Sequence, residues 1–186
     1  MRSAAVIAGI VVLLLGLASS GTAHVPTDPF LVVPGQGIGE VRLGMTITEA
    51  VKVLGNPQES RSTLSSSVLP KQELEGATIY IWSAPARAGV SNQTGFRAVA
   101  DARGKIIEIM APSPDERYHT PDGLAIGNRE QAVGMRLGPP SRTTTLGNEK
   151  YDIYEVLGIA FTIETNRQYS NAGMVNGVSV FVPAHT

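Results

Sequence analysis

The residues of this chain with the best chemical credentials are three histidines, His24, His119 and His185, and the acidic trio Asp115, Glu116 and Asp122. A metal site or proton relay needs such groups at spacings that bring them together. The histidines are far apart, two of them near the ends, and none belongs to an H-x-x-x-H or H-E-x-x-H phrase that would put ligands on one helix face. The trio lacks the EF-hand spacing that holds calcium, so it reads as a solvated acidic stretch, with a hard cation as the alternative. The absence of cysteine removes thiol nucleophiles, disulfides and the usual structural zinc clusters.

Serine chemistry finds no G-x-S-x-G elbow, and Ser65, Ser66 and Ser67 sit in a polar stretch that reads as loop. Gly35-Gln36-Gly37-Ile38-Gly39 precedes an apolar segment rather than following a strand, so it predicts a flexible entry and not a phosphate loop. Asn92-Gln93-Thr94 is a formal glycosylation sequon. No catalytic residue, cofactor or bound metal is expected, although a hydrolase with an unrecognised site remains an alternative. The aromatic rings carry the functional expectation. Tyr80 and Trp82 lie two apart on one predicted strand, with Tyr151 and Tyr154 on a second. Large amphipathic rings anchor protein interfaces, so these four are the candidate partner-binding residues, with burial of Trp82 in the core as the competing reading. The interface reading predicts that Trp82→Ala or Tyr154→Ala leaves the melting temperature unchanged and abolishes partner capture.

The elements that must position these residues are marked by punctuation. Thr46 and Glu49 form a T-x-x-E capping box, and Ile47, Ala50, Val51 and Leu54 make one apolar stripe ending at Gly55 and Pro57. Setting Gly44 on Gly127 also aligns Leu54 with Leu137, Gly55 with Gly138 and Pro57 with Pro140. This degenerate echo predicts a second short helix, with Asn128 as N-cap, Gln131 completing its box and Val133 and Leu137 as the stripe. After each helix the period becomes strand-like: Ala77 to Trp82, Phe96 to Asp101 and Ile106 to Met110, then Tyr151 to Val156, Ile159 to Glu164 and Val178 to Val182. Arg103-Gly104-Lys105, Leu157-Gly158 and Asn176-Gly177 are turn signals, so the strands are antiparallel. The predicted fold class is α+β, with two tandem units, each a short helix or helix pair on a three- to four-stranded antiparallel sheet. The divisions are a signal peptide at 1–23, an extended arm at 24–37, a first unit at 38–110, a connector at 111–123 and a second unit at 124–186.

Arg2 followed by the uncharged apolar run Ala4 to Ala18 and by small residues predicts export to the periplasm or medium after cleavage following Ala23, with an uncleaved anchor as the alternative. Without cysteine no lipid anchor can be attached at a mature N-terminus. The formal net charge of −1 and the scattered basic residues predict no nucleic-acid partner.

The phrase from Gly39 through Leu43-Gly44-Met45-Thr46 to Leu54-Gly55-Asn56-Pro57 resembles the SmpA/OmlA (BamE-like) family of outer-membrane assembly factors. Its doubling resembles the fold of the β-lactamase inhibitor proteins (BLIP-like). The resemblance implies a scaffold whose role is protein binding, with no target carried over. The function expected is therefore a non-enzymatic, exported protein-binding module, acting on another envelope or secreted protein through sheet faces and loops. The alternatives are a structural, self-associating envelope protein and, behind it, a secreted enzyme inhibitor.

Overall fold

Thr46 opens the first helix through the reciprocal bonds its spacing to Glu49 permits. Its Oγ1 accepts from the Glu49 N–H at 3.2 Å, and Glu49 Oε2 accepts from the Thr46 N–H at 2.7 Å. These bonds hold the Glu49 carboxyl below its ordinary range, the backbone bond contributing most. Helix α1 (Ile47–Leu54) buries Ala50 and rests Ile47, Val51 and Leu54 on the main core, as the stripe predicts. It stops at Gly55, whose φ of +78° is open to glycine and strained for other residues. Thr46→Ala should therefore lower stability by about 1 kcal/mol, read as a fall in the urea midpoint. An unchanged midpoint would show that packing alone holds the helix.

Helix α2 (Glu130–Leu137) forms without such a cap. Arg129, not Asn128, is its N-cap, and it makes no side-chain capping bond. The Asn128 carboxamide instead accepts from the Ala125 N–H at 2.9 Å, closing the preceding turn. Val133 is buried and Leu137 packs beside it.

The computed structural model describes residues 28–63, 66, 68–83 and 95–183. The expected signal peptide at 1–23, His24, His185, Ser65, Ser67 and the sequon at 92–94 lie outside the described residues. Among the described residues no helix is long and apolar enough to cross a membrane.

Three short strands, β1 (Val32–Val33), β2 (Gly37–Ile38) and β3 (Val41–Arg42), form a small antiparallel sheet. The glycine-punctuated stretch expected to be a flexible entry thus carries paired backbone, and Val32, Ile38 and Val41 are buried. The arm is also tied to the connector: the Val32 N–H donates to His119 O at 2.8 Å and the His119 N–H to Phe30 O at 3.1 Å. Phe30 meets the edge of Tyr118, with Arg117 4.1 Å above its ring.

The remaining strands are β4 (Glu59–Ser62), β5 (Thr78–Trp82), β6 (Phe96–Ala100), β7 (Ile106–Met110), β8 (Arg142–Leu146), β9 (Glu149–Tyr154), β10 (Ile159–Glu164) and β11 (Val175–Phe181). They form one eight-stranded antiparallel sheet in the order β4-β5-β6-β7-β11-β10-β9-β8. This corrects the expected α+β class with two tandem helix-on-sheet units. The protein is mostly β, because β7 and β11 pair at the centre, Ser179 with Met110 and Phe181 with Glu108, and join both halves into one sheet. The core is shared too: Ala50 of α1, Val133 of α2, Trp82 and Tyr154 belong to a single cluster. A second correction concerns Asn176-Gly177, which lies inside β11 and not at a turn. There the register against β10 shifts between Thr162 and Ile163, and a Cβ on Gly177 would meet Thr162 Oγ1 at 3.3 Å.

The two faces of the sheet are covered differently. Both helices and the small sheet pack on one. Across the other, among the described residues, runs only the segment of Ser66 and Val68 to Ala77, with a 3-10 turn at Lys71–Leu74, resting Val68, Leu69, Leu74 and Ala77 on Val99, Ile153, Ala160 and Phe181.

Candidate functional site

The four aromatic candidates separate between these faces. Trp82 is 5% exposed and Tyr154 4% exposed, both on the helix side. Each uses its polar tip to close a helix end: Trp82 Nε1–H donates to Gly55 O at 2.9 Å, and Tyr154 O–H donates to Gly138 O at 3.1 Å. A ring whose body is buried and whose one donor is spent on a helix terminus presents nothing to a partner. This corrects the interface reading of both residues. Tyr80 is half-buried beside Trp82, with ring centroids 6.4 Å apart, and packs on the same core. Tyr151 points to the opposite face, packed against the second cluster.

That opposite face holds the candidate site, because the crossing segment leaves an opening on each side of itself. One is a polar cleft of about 560 Å³, lined by Arg61, Arg97, Glu108, Glu149, Tyr151 and Asn176 among others. Alternation along the strands puts Arg61, Arg97, Glu108, Glu149 and Tyr151 on the side away from the helices, and the register shift between β10 and β11 brings Asn176 to the same side. Glu108, on central strand β7, is 2% exposed and accepts from Ser66 Oγ at 2.9 Å. Burial pushes its carboxyl up to about 7, against the opposing pull of the Ser66 hydroxyl and the Arg97 charge. Ser66 Oγ also accepts from the Val68 and Leu69 N–H groups, at 3.0 Å each. One hydroxyl thereby ties the crossing segment to the sheet.

Across the cleft Tyr151 O–H donates to Glu149 Oε2 at 2.5 Å, and Asn176 Nδ2 reaches Glu149 Oε1 at 3.4 Å. Asn176 Oδ1 is buried with no hydrogen-bond partner. A buried acceptor left unpaired is costly, and an incoming N–H or O–H at this point would remove the cost. Glu108, Glu149 and Asn176 offer acceptors beside the Arg61 and Arg97 guanidinium donors, so the cleft suits a surface that both donates and accepts, such as polypeptide backbone.

The second opening is an apolar groove of about 870 Å³ between the crossing segment and edge strand β8, walled by Val68, Leu69, Ile107, Leu146 and Phe181. Arg142 of β8 clasps the crossing segment by donating from Nη2 to Val68 O at 2.8 Å, and pairs with Glu155 at 3.0 Å.

Sequence reasoning missed this face. Glu108 and Ser66 carried no chemical motif, Asn176 was read only as part of a turn, and the two edge strands β4 and β8 were not expected at all. The one available signal was Glu108 standing in the apolar run Ile106 to Met110, where a lone carboxylate on a central strand is either buried and paired or functional. Described members of the histidine and acidic sets have other partners. His119 Nδ1 lies 2.8 Å from Arg117 O and its Nε2 3.6 Å from Asp28, Asp115 pairs with Arg117 at 2.6 Å, and Asp122 accepts from Thr120 Oγ1. Among the described residues no group of three His, Asp or Glu side chains is placed to hold a metal.

No protein-family model matches the chain, and no curated protein does. Among solved structures it is similar to a cysteine-rich secretory protein from Staphylococcus aureus, at 14% identity and a TM-score of 0.47, over 84% of this chain and 48% of that one. It is also similar to an extracellular protein containing an SCP domain from Bacillus anthracis, at 11% identity and a TM-score of 0.44, over 75% of this chain and 43% of that one. The chain thus spans less than half the length of each. The SmpA/OmlA and BLIP-like resemblance does not hold: its helix phrase matches no family model, and the expected tandem units are one continuous sheet.

Proposed function

We propose that this chain is an exported protein-binding module without catalytic chemistry of its own, holding another envelope or secreted protein against the face of its sheet opposite α1 and α2. The apolar run at Ala4 to Ala18 supports export. The observation that carries the binding role is the pairing on one face of a polar cleft, with its unpaired acceptor at Asn176, and an apolar groove. An apolar surface to desolvate beside a few fixed polar groups is the anatomy of a recognition site.

Site-specific photo-crosslinking in the producing cell tests this. A benzophenone residue at Thr162, which lines the cleft, should give a discrete adduct with a second protein, while the same probe at Lys52, exposed on α1, should give none. Equal labelling from both positions, or none from Thr162, would overturn the reading. An adduct of twice the chain's own mass would assign the face to self-association.

A further inference from the structure

Strand β8 ends the eight-stranded sheet, and among the described residues it is paired on one side only, with β9. Alternate residues of such a strand direct their N–H and C=O groups outward. Natural edges are usually protected by proline, lysine, bulges or extreme shortness. β8 has no proline, lysine or bulge: its sequence is Arg-Thr-Thr-Thr-Leu, its one charge, Arg142, is engaged by Val68 O and Glu155, and all five residues keep an unbroken register, from Arg142 against Ile153 to Leu146 against Glu149. The opposite edge, β4, is shorter, and Glu59 and Arg61 form an ion pair along it at 3.5 Å. The open edge also borders the apolar groove, which Thr144, Thr145 and Leu146 help to line. Leu146 stands at its mouth with 66% of its surface exposed.

We propose that the β8 edge and the groove beside it receive one extended peptide segment of another protein, added to the sheet as a ninth strand. Backbone bonds to β8 supply the pairing, and every second side chain of the added strand faces the groove. The segment therefore carries aliphatic or aromatic residues at alternate positions. Its flank is basic: Arg142 is already engaged by Glu155 and the Val68 carbonyl, whereas Glu73 on the groove's rim has no ion pair among the described residues. The inference rests on the protein-binding reading and names the form of the partner.

Panning a phage-displayed library of random nine-residue peptides against the full chain tests it. The enriched peptides should share apolar residues at alternate positions with a lysine or arginine at one end. A fluorescein-labelled consensus peptide should lose at least about tenfold in affinity, or ~1.4 kcal/mol, against Leu146→Asp, a change at an exposed side chain. Hydrogen exchange of the wild-type chain should slow at residues 142–146 when the peptide is added. No alternating consensus, undiminished binding to Leu146→Asp, or protection confined to other strands would each overturn the proposal. A dimer that Leu146→Asp dissociates, with no peptide bound, would also overturn it and assign the edge to a second copy. Crosslinks from Thr162 without peptide binding at β8 would leave the protein-binding module standing and remove only the added strand.

Discussion

Replacing Trp82 by alanine should destabilise the protein by about 3–5 kcal/mol, as other large buried aromatics do, and lower its melting temperature by on the order of 10 °C. Two losses combine. The ring leaves a void beside Phe96, whose centroid is 6.1 Å away edge-on, and beside Tyr80 at 6.4 Å. The Gly55 carbonyl at the end of α1 also loses its indole donor. Tyr154→Phe, which keeps the ring and deletes only the hydroxyl that closes α2 at Gly138, should cost about 1 kcal/mol. Urea unfolding of both variants separates the contributions. A Trp82→Ala midpoint equal to that of wild type would restore the ring to the surface and overturn its placement in the core.

Glu108→Gln should make the protein more stable at pH 8 and flatten its stability between pH 4.5 and 7. The carboxyl titrates at about 7 in the folded chain, because burial disfavours its charge, and near 4.5 when exposed. Below pH 4.5 both states hold the proton and the site costs nothing. As pH rises from 4.5 to about 7 the unfolded chain has released its proton while the folded chain retains it, so stability falls. Above about 7 both are ionised and the cost is constant, about 3 kcal/mol at ~1.4 kcal/mol per pH unit. Glutamine cannot ionise but can still bond Ser66. Its urea midpoint should match wild type at pH 4 and exceed it at pH 8. Parallel midpoints at both pH values would show that Glu108 titrates as an exposed carboxylate. Because Ser66 ties the crossing segment down through this carboxyl, the same titration acts on the wall shared by cleft and groove.

What was legible in the sequence was local. The capping box of α1, its stripe and its glycine stop are set by residues within one turn of each other, and they appear as read. The inner strands were legible because burial on both faces demands apolar runs; β7 and β10 begin and end where their apolar patterns do. Edge strands escape that logic. Glu59-Ser60-Arg61-Ser62 and Arg142-Thr143-Thr144-Thr145-Leu146 face water on one side and lack an apolar signature, although they define where the sheet ends. The union of the halves was equally hidden, since it depends on β7 meeting β11 across some seventy residues and no short-range pattern records such a pairing. The burial of Trp82 and Tyr154 was hidden for a related reason: alternation places Tyr80 and Trp82 on one face but does not say which face the helices cover, whereas Tyr151, on the other face, lines the cleft. The cleft itself was invisible because Glu108, Glu149 and Asn176 come from three strands that only the completed sheet brings together.

The seam between β7 and β11 has a consequence for how the chain is made. Within each half, neighbouring strands are also neighbours in sequence and can pair soon after they are synthesised, but β7 waits for β11, ending at Phe181. Until then its inward edge is open and the core residues Val178 and Val180 are missing. Long-range closure of this kind is slow, and an unpaired central strand is a point of aggregation. The sheet therefore stays open until Val175–Phe181 has emerged, and deletion of that strand would leave β7 and β10 with facing, unpaired edges instead of a slightly smaller sheet.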